Sequence, residues 1–263
     1  MTTTDIAQIR DHIIGLDTSR ARVEEFAEAF TPADEAIAYR AQEALCQSRL
    51  AAQGKVVGYK IGLTSPQIRQ QTGLSTPIYG PIHEANVHAT PARFARTRFV
   101  RLGLELEICL RLGADIAPSA TPHNIASVSP AIASLMPAYE LIEDRGADYS
   151  RLKVMTVIAD GGWNGGVVLG SPRSDWRQLD LTKLAGTVRI DGQETARGLA
   201  GEVMGHCILS LVWLADRLGA AGTTLKAGML IMTGSMVRTQ FPQPGQTAAA
   251  SIEALGDISV TLV

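Results

Sequence analysis

The segment from Arg101 to Leu110 places the strongest constraint on the fold, because its sequence, RLGLELEICL, alternates with a period of two. That period is typical of a β-strand and puts Glu105 and Glu107 on one face, with the aliphatic residues between them on the other. Two like charges about 7 Å apart on one strand face repel each other. Mg²⁺ or Mn²⁺ would offset them, since these cations favour carboxylate oxygens. The alternative is an ordinary strand with one face in solvent.

A third carboxylate strengthens the metal interpretation. Glu140 interrupts the apolar stretch PAYELIED, which runs from Pro137 to Asp144. A carboxylate inside an apolar strand needs a partner, which can be an arginine or lysine or a bound cation. The sequence contains no cluster of histidines or cysteines that would form a competing metal site. We therefore predict that Glu105, Glu107 and Glu140 are metal ligands.

The amino-terminal part of the chain is predicted to be helical. The clearest helix runs from Thr31 to Gln53, because Thr31 and Pro32 form a helix start and Gly54 a helix stop. The run Thr64-Ser-Pro66 predicts the start of a short helix, and residues 75–88, rich in glycine and proline, predict a loop. A further helix, apolar on nearly all sides and therefore buried, is predicted over about residues 200–218.

The rest of the chain is dominated by predicted strands. They cover residues 55–63, 98–112, 137–142, 153–159, 166–170, 228–233 and 258–263. Helices concentrated at one end and strands in the body indicate an α+β fold rather than alternating βαβ units.

Composition excludes several classes of protein. Hydrophobic residues make up 46% of the 263 residues, which is too apolar for a disordered chain, and the net charge of −2 is spread without a basic patch for nucleic acid. Cys46, Cys109 and Cys207 are widely spaced and predict free thiols in a reducing compartment. No apolar run reaches the ~18 residues of a membrane span, and the first residues lack the apolar core of a signal peptide. We expect a cytoplasmic protein without a nucleic-acid or membrane partner.

Six stretches, taken in order, resemble the 2-keto-4-pentenoate hydratase and 4-oxalocrotonate decarboxylase branch of the fumarylacetoacetate hydrolase superfamily. The resemblance runs from about residue 35 to the carboxyl terminus, with the stretches in the family's order. They are GYKIGLTS (58–65), GLELE (103–107), PAYELIEDR (137–145), VIAD (157–160), GVVLG (166–170) and LKAGMLIMTGS (225–235).

The resemblance implies a mixed β-roll body over residues 55–263, preceded by a helical region over residues 1–54. It also implies a Mg²⁺ or Mn²⁺ ion held by Glu105, Glu107 and Glu140, and it marks Lys60 as the family's lysine. The implied assembly is a homo-oligomer, with a complex containing a related decarboxylase or hydratase subunit kept open. The implied substrate is a small 2-oxo or dienol acid from the catabolism of aromatic rings.

Chelation of such an acid would stabilise charge on its 2-oxygen as an enolate forms. A hydratase would then add water to a 2-hydroxy-2,4-dienoate and give a 4-hydroxy-2-oxo acid. A decarboxylase would use the same electron sink as CO₂ leaves. We expect the hydratase, with the decarboxylase as the alternative.

Four further residues are candidates for this chemistry. Lys60 could bind the substrate carboxylate or move protons, or it could be a surface lysine before a turn. Thr233 and Ser235 offer hydroxyls for substrate binding at a tight bend, or form a plain turn. Asp160 could position a donor near the site, or cap the turn that follows it.

Two departures from the family pattern bear on the reaction. Ile78 stands in Pro-Ile-Tyr-Gly where hydratases of this branch have Pro-Asp-Phe-Gly, so an acid is missing. Residues 161–164 read Gly-Gly-Trp-Asn in place of Asn-Ala-Ser-Ser. His83 or Glu84 could replace the lost acid–base group, or both could be solvated loop residues. Trp163 could bind an apolar substrate tail, or anchor the core.

These departures keep two other functions open. One is a C–C bond hydrolase or tautomerase that uses His83 or Glu84 to activate water. The other is a non-catalytic subunit that binds acids beside an active relative.

Overall fold

The computed structural model describes residues 3–22 and 30–263. The six helices that these residues form are α1 (Thr3–Ser19), α2 (Glu35–Gln53), α3 (Pro66–Thr72), α4 (Ile125–Val128), α5 (Val154–Ala159) and α6 (Ile208–Gly219). The first six strands are β1 (Val56–Gly62), β2 (Ile78–His83), β3 (Val87–Ala89), β4 (Ala92–Phe94), β5 (Leu102–Leu112) and β6 (Ile132–Glu143). The others are β7 (Asn164–Leu169), β8 (Ala185–Ile190), β9 (Gln193–Leu199), β10 (Leu230–Met232), β11 (Thr247–Ile252) and β12 (Gly256–Leu262).

The strands form two mixed sheets around one principal core. The larger sheet has seven strands in the order β2-β1-β10-β5-β6-β7-β3, and the smaller has five in the order β4-β12-β11-β8-β9. The aliphatic face of β5, including Leu104, Leu106 and Ile108, packs in the same core as Val188 and Val260 of the smaller sheet. The opposite face of β5 carries the glutamates.

The helical region covers one end of this body. Ile9 and Ile13 of α1 pack with Leu45 of α2 and Ala159 of α5 in a second buried cluster. Gln42 of α2 donates hydrogen bonds to the carbonyls of Tyr79 and Ile158, at 2.9 and 2.7 Å. The helices are therefore tied directly to β2 and α5. No helix in the described residues has the length and apolar character needed to cross a bilayer.

The predicted α+β class is confirmed, and several boundaries differ. The second helix begins at Glu35 rather than Thr31, because the Asp34 side chain caps it by accepting from the Ile37 amide at 2.8 Å. Of the predicted helical start, residues 23–29 lie outside the described residues. The long buried helix begins at Ile208, and residues 200–202 form a short 3₁₀ turn instead. The strand predicted from residue 98 begins at Leu102.

Two predictions of element type were wrong. Residues 153–159 were predicted as a strand but form α5, since a short apolar run that is buried all round carries no period to distinguish helix from strand. Residues 75–88 were predicted as a loop but contain β2 and β3. Pro81 is accommodated because β2 is an edge strand. Strands β4, β8, β9 and β11 were not predicted at all.

Candidate metal centre and substrate cavity

Three glutamates meet because β5 and β6 are antiparallel neighbours. Glu105 lies directly opposite Glu140 in the register, and Glu107 lies two residues further along the same face of β5. Each glutamate offers a carboxylate oxygen, and these oxygens lie within 4.8 Å of one another. The structure thus brings together the three residues that the sequence predicted as ligands.

Protein donors hold one oxygen of each glutamate. The Gly234 amide donates to Glu107 Oε2 at 2.8 Å, and the Asn164 side chain donates to Glu140 Oε1 at 2.9 Å. The Thr239 hydroxyl donates to Glu105 Oε1 at 2.5 Å. Glu107 and Glu140 are fully buried, yet Glu107 Oε1 and Glu140 Oε2 have no hydrogen-bond partner among the residues that the structure describes.

Lys60 enters this cluster from β1. Its Nζ lies 3.2 Å from Glu140 Oε1, and the residue is only 4% exposed, so it is not a surface lysine. Of the partners considered for Glu140, a lysine is therefore present, together with the two other carboxylates that would share a bound cation. Three carboxylates against one ammonium leave a net charge of −2 when all four groups are ionised.

The pKa values reflect this imbalance. Burial raises the pKa of Glu140 to about 7, against the lowering effect of Lys60. Burial and the charges of Glu140 and Glu105 together raise the pKa of Glu107 well above its usual range. For Lys60, burial alone would lower the pKa, but the three carboxylates outweigh it and raise the pKa. The unpartnered oxygens and the excess negative charge fit a divalent cation with oxygen ligands.

A cavity of about 470 Å³ opens beside Lys60 and Glu105. Its other polar lining residues are Thr64, Ser65, Thr72, Tyr149, Ser150, Ser235, Arg238 and Thr239. Its apolar wall consists of Ile61, Leu63, Ile78, Ile142, Leu152, Val157, Trp163 and Val237. Mixed walls of this kind are typical of sites for small organic ligands.

The bend after β10 supplies several contacts to the site. Gly234 has a φ of 109°, and a Cβ there would lie 2.4 Å from Thr64, so glycine is required for its amide to reach Glu107. Ser235 lines the cavity, and its hydroxyl donates to the Val237 carbonyl at 2.6 Å. Thr233 is fully buried, donates to the Ile108 carbonyl at 2.8 Å and does not line the cavity. Its placement contradicts a substrate-binding role for its hydroxyl.

The loop that departs from the family pattern packs against Lys60. Gly162 has a φ of 66°, and a Cβ there would lie 3.1 Å from Lys60 Cε. Trp163 lines the cavity and meets the ring of Tyr149 edge-on, with centroids 5.8 Å apart. Ile78 contributes an apolar surface at the position where the resemblance led us to expect an acid.

The structure places the remaining predicted catalytic residues outside this cavity. Asp160 ends α5, not a strand, and is buried in an ion pair with Arg145. His83 is buried at the far end of β2, with Nδ1 3.1 Å from the Gly54 carbonyl oxygen. Glu84 is exposed and lies 3.9 Å from Lys55 Nζ. None of the three lines the cavity, because β2 and α5 carry them away from Lys60.

Thr239, Asn164, Tyr149 and Arg238 are among the residues of the site that sequence reasoning missed. Thr239 and Asn164 orient glutamates from segments far along the chain, and Tyr149 and Arg238 line the cavity. Each lies in a loop or at the end of a strand without periodicity, so no short-range pattern identifies it.

Comparison with known proteins agrees with this geometry. The family model described as fumarylacetoacetate (FAA) hydrolase C-terminal matches residues 67–263. A 2-keto-4-pentenoate hydratase of Burkholderia vietnamiensis is 31% identical over 228 residues, covering 87% of this chain and 86% of that protein. A 4-oxalocrotonate decarboxylase of Pseudomonas putida is 27% identical over 210 residues, covering 80% and 78%.

A solved structure matches nearly the whole chain. It is the 4-oxalocrotonate decarboxylase from Pseudomonas putida G7 complexed with magnesium and adipate, which has a TM-score of 0.91 and 25% identity and covers 100% of this chain and 99% of that one. Its coverage includes the helical region at the amino terminus.

Proposed function

This chain belongs to the fumarylacetoacetate hydrolase family, and we propose that it is a metal-dependent lyase acting on a small 2-oxo or 2-hydroxydienoic acid. The observation that carries the proposal is the group of three glutamates, with two buried oxygens that have no partner among the described residues, next to a cavity lined by Glu105 and the buried Lys60. Relatives that act as hydratases and decarboxylases support the same reaction class.

Glu105, Glu107 and Glu140 would hold the metal, for which we propose Mg²⁺ or Mn²⁺. When bound, the cation supplies positive charge that favours the enolate form of a chelated 2-oxo acid. Gly234, Asn164 and Thr239 each fix one carboxylate oxygen through a hydrogen bond and leave the other oxygen for a ligand. Residues that orient ligands in this way are part of a metal site's affinity.

Lys60 acts in this proposal as a fixed cation. Its raised pKa keeps the ammonium protonated at neutral pH, so it donates hydrogen bonds and does not start as a base. Placed between Glu140 and the cavity, it can bind a substrate carboxylate or 2-oxygen. The apolar wall at Ile78, Leu152 and Trp163 excludes bulk water from the carbon chain of the substrate.

The first candidate reaction is hydration of a 2-hydroxy-2,4-dienoate. Protonation at C5 with loss of the 2-hydroxyl proton gives a conjugated 2-oxo-3-enoate, and water then adds its hydroxyl at C4 and a proton at C3, giving a 4-hydroxy-2-oxo acid. Thr64, Ser65 and Ser235 line the cavity and offer oxygens that can orient the water. The more similar relatives support this order of preference.

Decarboxylation of an oxalocrotonate-type diacid is the second candidate, and Ile78 favours it. Loss of CO₂ needs an electron sink but no added water, so an apolar residue at Ile78 is compatible with it. The hydrolase and tautomerase alternatives required His83 or Glu84, and neither lines the cavity.

Two assays on one metal-loaded sample test the proposal. Loss of ultraviolet absorbance of a 2-hydroxydienoate reports hydration, and CO₂ release from an oxalocrotonate-type diacid reports decarboxylation. We expect one activity to require Mg²⁺ or Mn²⁺ and to disappear after chelation. Metal binding without turnover of either substrate would overturn the lyase proposal in favour of an acid-binding subunit.

The proposed assembly is a homo-oligomer in the cytoplasm, alone or with a related hydratase or decarboxylase subunit. Light scattering after size-exclusion chromatography measures its mass, and a monomeric mass would contradict it.

A further inference from the structure

One cation of the cavity is not engaged by the protein. Arg238 lines the cavity wall and is exposed, and within residues 3–22 and 30–263 its guanidinium has no carboxylate partner. Only its backbone carbonyl is bonded, accepting from the Gln240 side chain at 2.7 Å. Three other arginines at the surface, Arg173, Arg189 and Arg217, do have acid partners.

The second cation of the cavity differs from Arg238 in its burial and in its pairing with carboxylates. Lys60 is buried and lies 3.2 Å from Glu140, among the three glutamates. It therefore belongs to the end of the cavity where the 2-oxo acid group is held. Arg238 lines the same cavity but is exposed.

The backbone fixes the relation between these two ends. Thr239, which follows Arg238, donates to Glu105, and the Leu104–Gln240 bridge holds this segment against β5. Arg238 is thus anchored one residue from a contact to the glutamate cluster, while its own side chain lies along the cavity wall with Val237. Both cations therefore line the same cavity as Glu105.

We infer that Arg238 binds a second, distal carboxylate, so that the substrate is a 2-oxo or 2-hydroxydienoic diacid rather than a monoacid. This inference rests on the proposed function, because it assumes that the first carboxylate is held beside the glutamates. A guanidinium matches a carboxylate with two parallel hydrogen bonds, which adds geometric selection to charge. The diacid specificity applies to hydration and decarboxylation alike.

A pair of unreactive ligands tests the inference without turnover. 2-Oxoadipate and 2-oxohexanoate have the same chain length and the same 2-oxo acid group, and differ in the distal carboxylate. Isothermal titration calorimetry on the Mg²⁺-loaded protein gives both dissociation constants. We expect 2-oxoadipate to bind about 10- to 100-fold more tightly, the range of one charge-assisted hydrogen-bonded pair.

Three variants identify the residue responsible. Arg238→Gln should remove the preference, so that 2-oxoadipate and 2-oxohexanoate bind with equal affinity, and Arg238→Lys should retain part of the preference. Arg93→Gln, at an exposed position on β4, is the matched control and should behave like the parent protein. Because Arg238 is exposed, the preference should also weaken as salt is raised.

The outcomes separate this inference from the proposed function. Equal affinities in the parent protein, or a preference that survives Arg238→Gln, overturn the role of Arg238 whatever the turnover assays show. Failure of both ligands to bind the metal-loaded protein points instead to failure of the proposed function. A preference that is lost in Arg238→Gln supports the inference even if the reaction is neither hydration nor decarboxylation.

Discussion

Two clusters of buried charge lie on either side of the loop at Trp163, and they are built in opposite ways. In the glutamate cluster, Glu105, Glu107 and Glu140 outnumber Lys60, and two carboxylate oxygens have no partner. The second cluster, at the junction of the helices with the sheet, pairs two arginines with two aspartates.

In the second cluster, by contrast, every aspartate oxygen has a partner. Arg145 bonds both Asp160 and Asp17, and Arg49 bonds Asp17 at 2.5 Å and lies 3.8 Å from Asp160. Both oxygens of each aspartate are engaged. Buried charge that is fully paired stabilises a particular arrangement of chain segments, here α1, α2 and α5.

The difference shows how a ligand site can be recognised among buried charges. Burial and shifted pKa values are common to both clusters, since burial also raises the pKa of Asp160. Only the glutamate cluster combines excess charge of one sign with unpartnered oxygens beside a cavity. The prediction that Asp160 positions a donor near the site came from its place at the end of an apolar segment, and the structure pairs it with Arg145.

The sharpest test of this contrast is Glu107→Gln. Residues that only orient a ligand contribute about 10–100-fold to metal affinity, so loss of a ligand should reduce turnover by more than about 100-fold. The fold should be retained, because glutamine has the same shape and the Gly234 amide keeps an acceptor. Steady-state kinetics and metal titration measure the effect, and full activity in this variant would exclude the proposed site.

Leu106→Ala is the control on the opposite face of the same strand. Leu106 is fully buried in the core, so its truncation should cost about 2–5 kcal/mol of unfolding free energy. The metal affinity of the folded fraction should not change.

The paired cluster is probed by Asp160→Asn. This change leaves the buried Arg145 without its main counter-charge and should lower the free energy of unfolding by about 3–5 kcal/mol. Urea denaturation measures that loss. Metal affinity should equal that of the parent protein. Loss of metal binding without loss of stability would instead show that Asp160 takes part in the metal site.

Addition of metal should stabilise one cluster and leave the other unaffected. Mg²⁺ at one hundred times its dissociation constant adds ~2.7 kcal/mol, which corresponds to roughly 5–10 °C in the midpoint of thermal unfolding. The same shift should occur in Asp160→Asn and be absent in Glu107→Gln. Differential scanning calorimetry of chelated and metal-loaded samples measures it, and equal shifts in the two variants would refute the contrast.

The smallest expected effect concerns the hydrogen bonds that orient the glutamates. Thr239→Val removes the hydroxyl that donates to Glu105 and should weaken metal binding by about 10–100-fold with little change in unfolding free energy. Thr239→Ser keeps the hydroxyl and should bind metal like the parent protein. If valine and serine variants bind metal equally well, the Thr239 hydroxyl has no orienting role.

The α+β class and the candidate ligands followed from patterns that are local in the chain. Period-two alternation in β5 put Glu105 and Glu107 on one face, and the apolar context of Glu140 marked it as a carboxylate in need of a partner. The helix end at Gly54 was likewise local, since a single residue caps it. The resemblance to the family then implied that the three glutamates form one set of metal ligands.

What the sequence could not determine depends on segments that meet only in the folded chain. The partner of Glu140 is Lys60, eighty residues away, and the donors to the three glutamates come from the bend after β10 and the start of β7. The helix at residues 154–159 was decided by packing against α2 and β2, because its apolar residues fit a strand equally well. Which of the predicted acids and bases face the cavity, and that Arg238 faces it without a partner, were decided by the tertiary structure alone, since side-chain direction and charge pairing depend on neighbours that no local pattern records.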